Sequence, residues 1–92
     1  MRTVAVVGAT GLVGREMCRV LEARAFPLDG LRLFSSPRSA GTEVVVAGQP
    51  RRVEDAATAD LSGIDIALFA AGSDASRALA PRFVAAGATV ID

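Results

Sequence analysis

The 92-residue chain has no histidine, a single cysteine (Cys18) and, among its ten positively charged residues, no lysine. One cysteine forms no intramolecular disulfide, and without histidine the usual zinc-ligand sets and Cys–His catalytic pairs are excluded. Most covalent chemistry is thereby out of reach of this chain alone, and no catalytic residue and no metal site are expected in it. The exclusive use of arginine, alongside abundant alanine, reads as coding preference rather than mechanism. No apolar run approaches the ~20 residues that span a bilayer. The stretch Val4–Val7 runs into glycines rather than a signal-peptide cleavage pattern. No membrane partner is expected, and a cytoplasmic setting follows. With a formal net charge of zero and no like-charge run, the chain shows no electrostatic affinity for nucleic acid. Internal repeats and low-complexity tracts are absent too.

What is present is the composition of a soluble globular chain, 51% hydrophobic and 22% charged, with room for one small domain. Thr3–Val7 is a short β-branched apolar run ending at Gly8, as in a strand buried on both faces of a parallel sheet. From Gly11 to about Arg24, Val13, Met17, Val20 and Leu21 recur at steps of three and four among charged residues, which predicts an amphipathic helix. Pro27 and Gly30 break that pattern, and Leu31–Ser35 reads as a second strand leading into the polar loop Ser36–Gly41. Glu43–Ala47 and Arg51–Glu54, around Gly48-Gln49, predict a hairpin where a second crossover helix would otherwise stand. Ile64–Ala70 predicts a further strand and Ser73–Ala86 a helix, with Ser73 or Asp74 as N-cap and Gly87 past its end. Ala88–Ile91 closes as another strand. Alternating strands and helices imply an α/β fold: a right-handed, Rossmann-type parallel sheet with flanking helices, the incomplete first part of an NAD(P)-binding domain.

Gly8-Ala9-Thr10-Gly11-Leu12-Val13-Gly14 falls between the first strand and the first helix, where a pyrophosphate meets free N–H groups and the positive end of the helix dipole. Gly8 permits the tight exit from the strand, Gly11 removes a Cβ where phosphate approaches backbone, and Gly14 allows close helix packing. Thr10 adds a hydroxyl donor. The spacing is one residue longer at its start than the commonest dinucleotide fingerprint, so its position between strand and helix carries the assignment. The competing reading is a tight turn that binds nothing.

NAD-preferring sites place a carboxylate near the end of the second strand, roughly 20 residues on, to hold the ribose 2′-hydroxyl. Here the segment reads Leu33-Phe34-Ser35-Ser36-Pro37-Arg38-Ser39, with hydroxyls and one guanidinium that suit a 2′-phosphate. The expected cofactor is therefore NADP rather than NAD. A solvated loop with its arginine in water is the alternative. A third contact is placed at Phe69-Ala70-Ala71-Gly72-Ser73, where small residues leave space for the nicotinamide half, although Gly72 equally fits a helix-entry turn.

The segments VAVVGATGLVGREM, SSPRSAG, DIALFAAG and AAGATVID resemble successive N-terminal motifs of the aspartate-semialdehyde dehydrogenase family and cover nearly the whole chain. The resemblance implies reduction of L-aspartyl 4-phosphate to aspartate semialdehyde with NADPH, releasing phosphate, on the route to lysine, threonine and methionine. It implies that Thr10, Gly11, Leu12 and Val13 bind the pyrophosphate, with Gly8 counted among the cofactor-binding residues for its place in the turn. Arg38 and Ser39, helped by Ser36, would take the 2′-phosphate, and Gly72 the nicotinamide side. Pro37 departs from the small, flexible residue expected between the serine and the arginine, and fixes φ near −65°. The family works through a cysteine thiolate assisted by a histidine and arginines, in motifs that this chain lacks. Cys18, mid-helix among Met17, Val20 and Leu21, packs as a hydrophobe and does not replace that thiolate. Residues 1–92 are thus expected to be a truncated NADP-binding domain, inactive alone, with the catalytic and dimerisation domain absent. The small-molecule substrate and homo-oligomeric state belong to the complete enzyme. N-acetyl-γ-glutamyl-phosphate reductase and a stand-alone, non-catalytic NADP-binding module are the rival readings.

Overall fold

The computed structural model describes the backbone of residues 2–36, 38–70 and 73–91, and the side chains of these except 73–76. Six strands form one sheet, β1 (Val4–Val7), β2 (Leu31–Ser35), β3 (Glu43–Val46), β4 (Gln49–Asp55), β5 (Ile66–Phe69) and β6 (Thr89–Ile91), in the spatial order β3-β4-β2-β1-β5-β6. Among the described residues two helices flank it, α1 (Leu12–Ala23) and α2 (Ser73–Ala85), and a 3-10 turn, Leu28–Gly30, precedes β2.

The apolar run of β1 is buried at all four positions because both faces are covered. Val6 points to one face, with Leu31, Leu33, Val53 and the α1 side chain Cys18; Ala5 and Val7 point to the other, with Phe34, Ala67, Phe69 and the α2 side chain Phe83. Phe83 meets Phe34 and Phe69 edge-on, at centroid separations of 5.4 and 5.3 Å. The connection α1 leads leftward from β1 to β2 on one face, and α2 leads rightward from β5 to β6 on the other. Right-handed crossovers in opposite directions require this.

Neighbouring strands are parallel except for β3, which pairs antiparallel with β4, so the sheet is mixed rather than wholly parallel. The predicted hairpin is present and stands in for a crossover helix: β3 runs back along the outer edge so that β4 can lie parallel to β2, and Val44 and Val46 pack beside Cys18. Its turn is one residue earlier than the sequence indicates. Val46 pairs with Gln49, and the two loop residues are Ala47 (φ 53°) and Gly48 (φ 76°). Both central residues of such a two-residue turn take positive φ to match strand twist, and alanine hides that requirement.

From β4 the chain crosses to β5 through an irregular segment on the α2 face, where Ala56, Leu61 and Ile64 are buried. Asp55 accepts from Ala57 N–H and Asp60 from Ser62 N–H, both at 2.9 Å, and the Arg82 guanidinium donates to the carbonyls of Ala56 and Ala59. The serine N–H and hydroxyl of Ser62 hold the Asp60 carboxyl below its ordinary range. The expected cap at Ser73 or Asp74 lies outside the described side chains.

Candidate functional site

At the carboxyl edge of the sheet the ends of β1, β2 and β5 lie side by side, with Val7 opposite both Phe34 and Phe69. Here the two halves of the sheet wind in opposite directions, the place where open α/β sheets bind ligands. Gly8 leaves β1 with φ at +90°, a conformation L side chains rarely adopt. The N–H groups of Gly8 and Ala9 both donate to the Phe34 carbonyl, at 2.8 and 3.1 Å, which pins the turn to the end of β2. Gly11 N–H closes back onto the Gly8 carbonyl at 3.1 Å, and Arg15 N–H bonds the Gly11 carbonyl at 3.0 Å as the helix begins.

Gly11 caps α1 without a side-chain hydrogen bond, and the first turn carries no acidic residue. First-turn N–H groups have no intrahelical acceptor, so those of Leu12, Val13 and Gly14 form an uncompensated positive end. A phosphate fits that end on charge and on hydrogen bonding.

The glycines divide by what demands them. A Cβ on Gly14 would stand 2.1 Å from the Gly8 carbonyl oxygen and 2.8 Å from the Ala9 Cα, so the close seating of α1 on its turn requires glycine. A Cβ on Gly11 would meet only the Gly8 carbonyl oxygen, at an ordinary 3.6 Å, and its φ of −83° is open to any residue. Gly11 is exposed, and nothing in the fold calls for glycine there; close approach by a ligand would. Thr10 is half-buried, whereas Leu12 is 90% and Val13 58% exposed, an unusual position for two large apolar side chains at one helix start.

The loop after β2 begins beside this turn. Ser35 is buried and its hydroxyl donates to the Ser36 carbonyl at 3.0 Å, so it is committed to the backbone. Ser36 and Arg38 are exposed and Ser39 is half-buried. The N–H groups of Ser39 and Ala40 turn back onto the Ser36 carbonyl, both at 3.1 Å, and Thr42 donates through N–H and hydroxyl to the Ser39 carbonyl. The loop is thereby folded into a compact turn presenting Ser36, Arg38 and Ser39 at one end of β2. Pro37 and Gly72 lie outside the described residues. Before Gly72, Ala70 N–H bonds the Val7 carbonyl at 2.8 Å, which brings the end of β5 against that of β1.

The strand pairing adds one residue that spacing along the sequence does not reveal. Asp55, at the end of β4, stands opposite Ser35, so the carboxylate missing from β2 has a neighbour one strand away. Its Oδ1 accepts from Ala57 N–H in its own turn. Three arginines serve the fold: Arg32 pairs with Glu54 through two hydrogen bonds of 3.0 and 2.7 Å, Arg51 donates to the carbonyls of Leu28 and Leu31, and Arg82 holds the turn after β4. Arg38, in contrast, pairs with no carboxylate among the described residues. Cys18 is buried in the core under α1, and burial pushes its thiol above the ordinary range, the opposite of an activated nucleophile. Among the described residues no cluster of His, Cys, Asp or Glu could hold a metal ion, and no helix is long and apolar enough to cross a membrane.

Comparison with known proteins agrees with this geometry. Residues 3–92 match the family model described as semialdehyde dehydrogenase, NAD binding domain. The chain is 54% identical to an aspartate-semialdehyde dehydrogenase of Corynebacterium glutamicum over 95 residues, covering all of this chain and 28% of that protein. It is also 54% identical to the Bacillus subtilis enzyme of the same name, over 97% of this chain and 26% of the relative. The structure of a probable aspartate-semialdehyde dehydrogenase from Pseudomonas aeruginosa superposes with a TM-score of 0.91 at 46% identity, covering 99% of this chain and 27% of that one. The chain thus spans little more than a quarter of the length of the curated relatives it matches. With a family model matched from residue 3 to residue 92 and a solved relative that superposes over nearly the whole chain, the chain belongs to the semialdehyde dehydrogenase NAD-binding domain family.

Proposed function

We propose that this chain is the NADP-binding portion of an aspartate-semialdehyde dehydrogenase. The observation that carries the reading is the open first turn of α1 behind Gly11, beside a β2 loop whose exposed groups are hydroxyls and a guanidinium. The backbone N–H groups of Leu12 and Val13, with Gly8, Thr10 and Gly11 shaping the approach, hold the pyrophosphate. Arg38 and Ser39, with Ser36, take the 2′-phosphate, since a guanidinium gives charge-assisted bonds that a carboxylate would oppose. Gly72 borders the nicotinamide side.

The bound cofactor supplies hydride, and the chain's own groups bind and orient it. The reaction proposed for the complete enzyme is reduction of L-aspartyl 4-phosphate to the semialdehyde with release of phosphate, in a cytoplasmic homo-oligomer. With Cys18 buried and no histidine in the sequence, these 92 residues lack the cysteine–histidine pair of the proposed chemistry, and the chain by itself is expected to be inactive.

Calorimetric titration with NADP and NAD tests the cofactor assignment. NADP is expected to bind more tightly, and Arg38→Ala to weaken NADP at least tenfold, as loss of a charge-assisted contact of ~1.5–3 kcal/mol requires, while leaving NAD nearly unchanged. Equal losses for both cofactors would remove Arg38 from the 2′-phosphate. Absence of saturable binding by a folded chain would remove the assignment itself.

A further inference from the structure

The cleft between α1 and the edge strand β3 holds a guanidinium that the fold leaves uncommitted. It measures about 360 Å³ and is lined by Arg15, Cys18, Arg19 and Glu22 from α1 and by Glu43 and Val44 from β3. Arg19 pairs with Glu16 at 3.4 Å. Exposed Arg15 forms no ion pair among the described residues, although Glu22 and Glu43 line the same cleft.

Topology sets the height of Arg15 in this cleft. β3 is antiparallel to β4, so it starts at the carboxyl edge of the sheet and runs away from it, as α1 does. Cys18 is buried beside Val44. Residues three apart share one face of a helix, so Arg15 stands above Cys18, one turn nearer the carboxyl edge. Side chains on a helix lean back toward its N-terminus, which directs the Arg15 guanidinium to that edge. There the loop that presents Ser36, Arg38 and Ser39 joins the end of β2 to the start of β3 across the upper end of the cleft. Its far end is tied to β4, with Gly41 N–H bonded to the Val53 carbonyl at 2.7 Å and Val53 N–H to the Thr42 carbonyl at 2.8 Å.

A phosphate monoester carries about −1.5 to −2 charges near neutral pH and three strong acceptor oxygens. One guanidinium offsets roughly half of that charge and fills at most two of those oxygens. Resting on the NADP reading above, we infer that Arg15 is a second specificity residue for the 2′-phosphate, reaching it from α1 while Arg38 and Ser39 reach it from the loop. Arg19 does not share the task, because it lies ~6 Å farther down the helix axis and is held by Glu16. Glu43 and Glu22 face the same cleft and keep it near neutral when no cofactor is bound.

The test uses the complete polypeptide that carries these residues, titrated with NADP, NAD, adenosine 2′,5′-bisphosphate and AMP. Arg15→Gln keeps much of the side-chain length and removes the charge. It is expected to weaken NADP and the bisphosphate about fivefold or more, as loss of a partly screened charge-assisted contact requires, and to leave NAD and AMP within about twofold. Arg19→Gln is the control and leaves all four unchanged. Equal losses for NADP and NAD would put Arg15 at the pyrophosphate or in the seating of α1, and would overturn the inference. So would unaltered NADP binding in Arg15→Gln, or the same loss in Arg19→Gln, the mark of diffuse positive charge rather than contact. Failure of the underlying reading is told apart by the native protein and Arg38→Ala. A native protein that binds NADP no better than NAD, or an Arg38→Ala variant with full NADP affinity, removes the 2′-phosphate site and this inference with it. Loss in Arg38→Ala without loss in Arg15→Gln overturns the role of Arg15 alone.

Discussion

At the scale of single residues, Gly11 and Gly14 belong to one sequence motif yet answer to different demands. A methyl group on Gly14 collides with backbone atoms of Gly8 and Ala9, which cannot rotate away. Gly14→Ala must lift α1 from the sheet, and a destabilisation of about 2 kcal/mol or more is expected, comparable to other overpacked sites. Gly11→Ala meets no such obstacle and costs only the ~1 kcal/mol or less by which alanine is a poorer N-cap than glycine. Its main effect falls on the ligand: NADP affinity is expected to drop at least tenfold while the urea midpoint falls by less than half as much as in Gly14→Ala. If both variants lost stability alike, or if Gly11→Ala bound NADP normally, the assignment of Gly11 to phosphate approach would be wrong. Cys18 offers a second residue-scale test, made unusually clean by composition. With no lysine, tyrosine or histidine in the chain, Cys18 is the only side chain ionising between about pH 7.5 and 11. Burial raises its pKa, so the folded chain keeps a proton that the unfolded chain releases. The stabilisation is complete below the unfolded thiol's pKa of ~8.5 and is lost as pH rises through and beyond it. Urea midpoints should fall between pH 8 and 10.5 in the native sequence and change far less in Cys18→Ala; parallel slopes would place the thiol in contact with water.

At the scale of elements, the helix end and the hairpin show where local sequence and tertiary demand part company. After α1, Phe26 N–H bonds the Leu21 carbonyl and Ala25 N–H that of Glu22, both at 3.0 Å, a Schellman closure with Ala25 at φ 56°. Glycine is the residue suited to that position. Ala25→Gly is expected to stabilise the chain by about 1 kcal/mol, the cost of holding a Cβ in the left-handed region, read as a higher midpoint in urea; a lower midpoint would mean that the Ala25 methyl group contributes packing the geometry does not reveal. Ala47 occupies the same kind of position in the hairpin turn. These two alanines explain what sequence reading could and could not reach. The strands, both helices and the glycine turn were legible because β-branched runs, a period of 3.6 and strand-exit glycines each leave a local mark. The hairpin's turn lies one residue before the position the sequence indicates because alanine gives no sign of positive φ. The parallel seat of β4 against β2, and with it the meeting of Asp55 with Ser35, depends on which strands become neighbours, and no local pattern carries that. Of the candidate site, Ser36, Arg38 and Ser39 could be named from residue type, but the use of Ser35 by the backbone and the independence of Gly11 from packing appear only in three dimensions.

At the scale of the whole molecule, the sheet ends on β6, three residues long and hydrogen-bonded on one side only, to β5. Among the described residues its outer edge presents unpaired backbone groups beside the exposed Ile91. An open edge beside apolar surface is a template for pairing with another chain. Two copies of these 92 residues can each satisfy the other's edge, whereas in a longer protein further strand and helix would occupy it. The 92-residue chain alone is therefore expected to sediment above its monomer mass of 9.4 kDa at tens of micromolar, with the mass rising with concentration. Ile91→Lys places a charge on that edge, the device by which natural edge strands avoid association, and should return the chain toward monomer without loss of helix and strand signal in circular dichroism. A monomer at all concentrations would mean that six strands and two helices already satisfy the sheet, and the pressure for a neighbour beyond β6 would vanish.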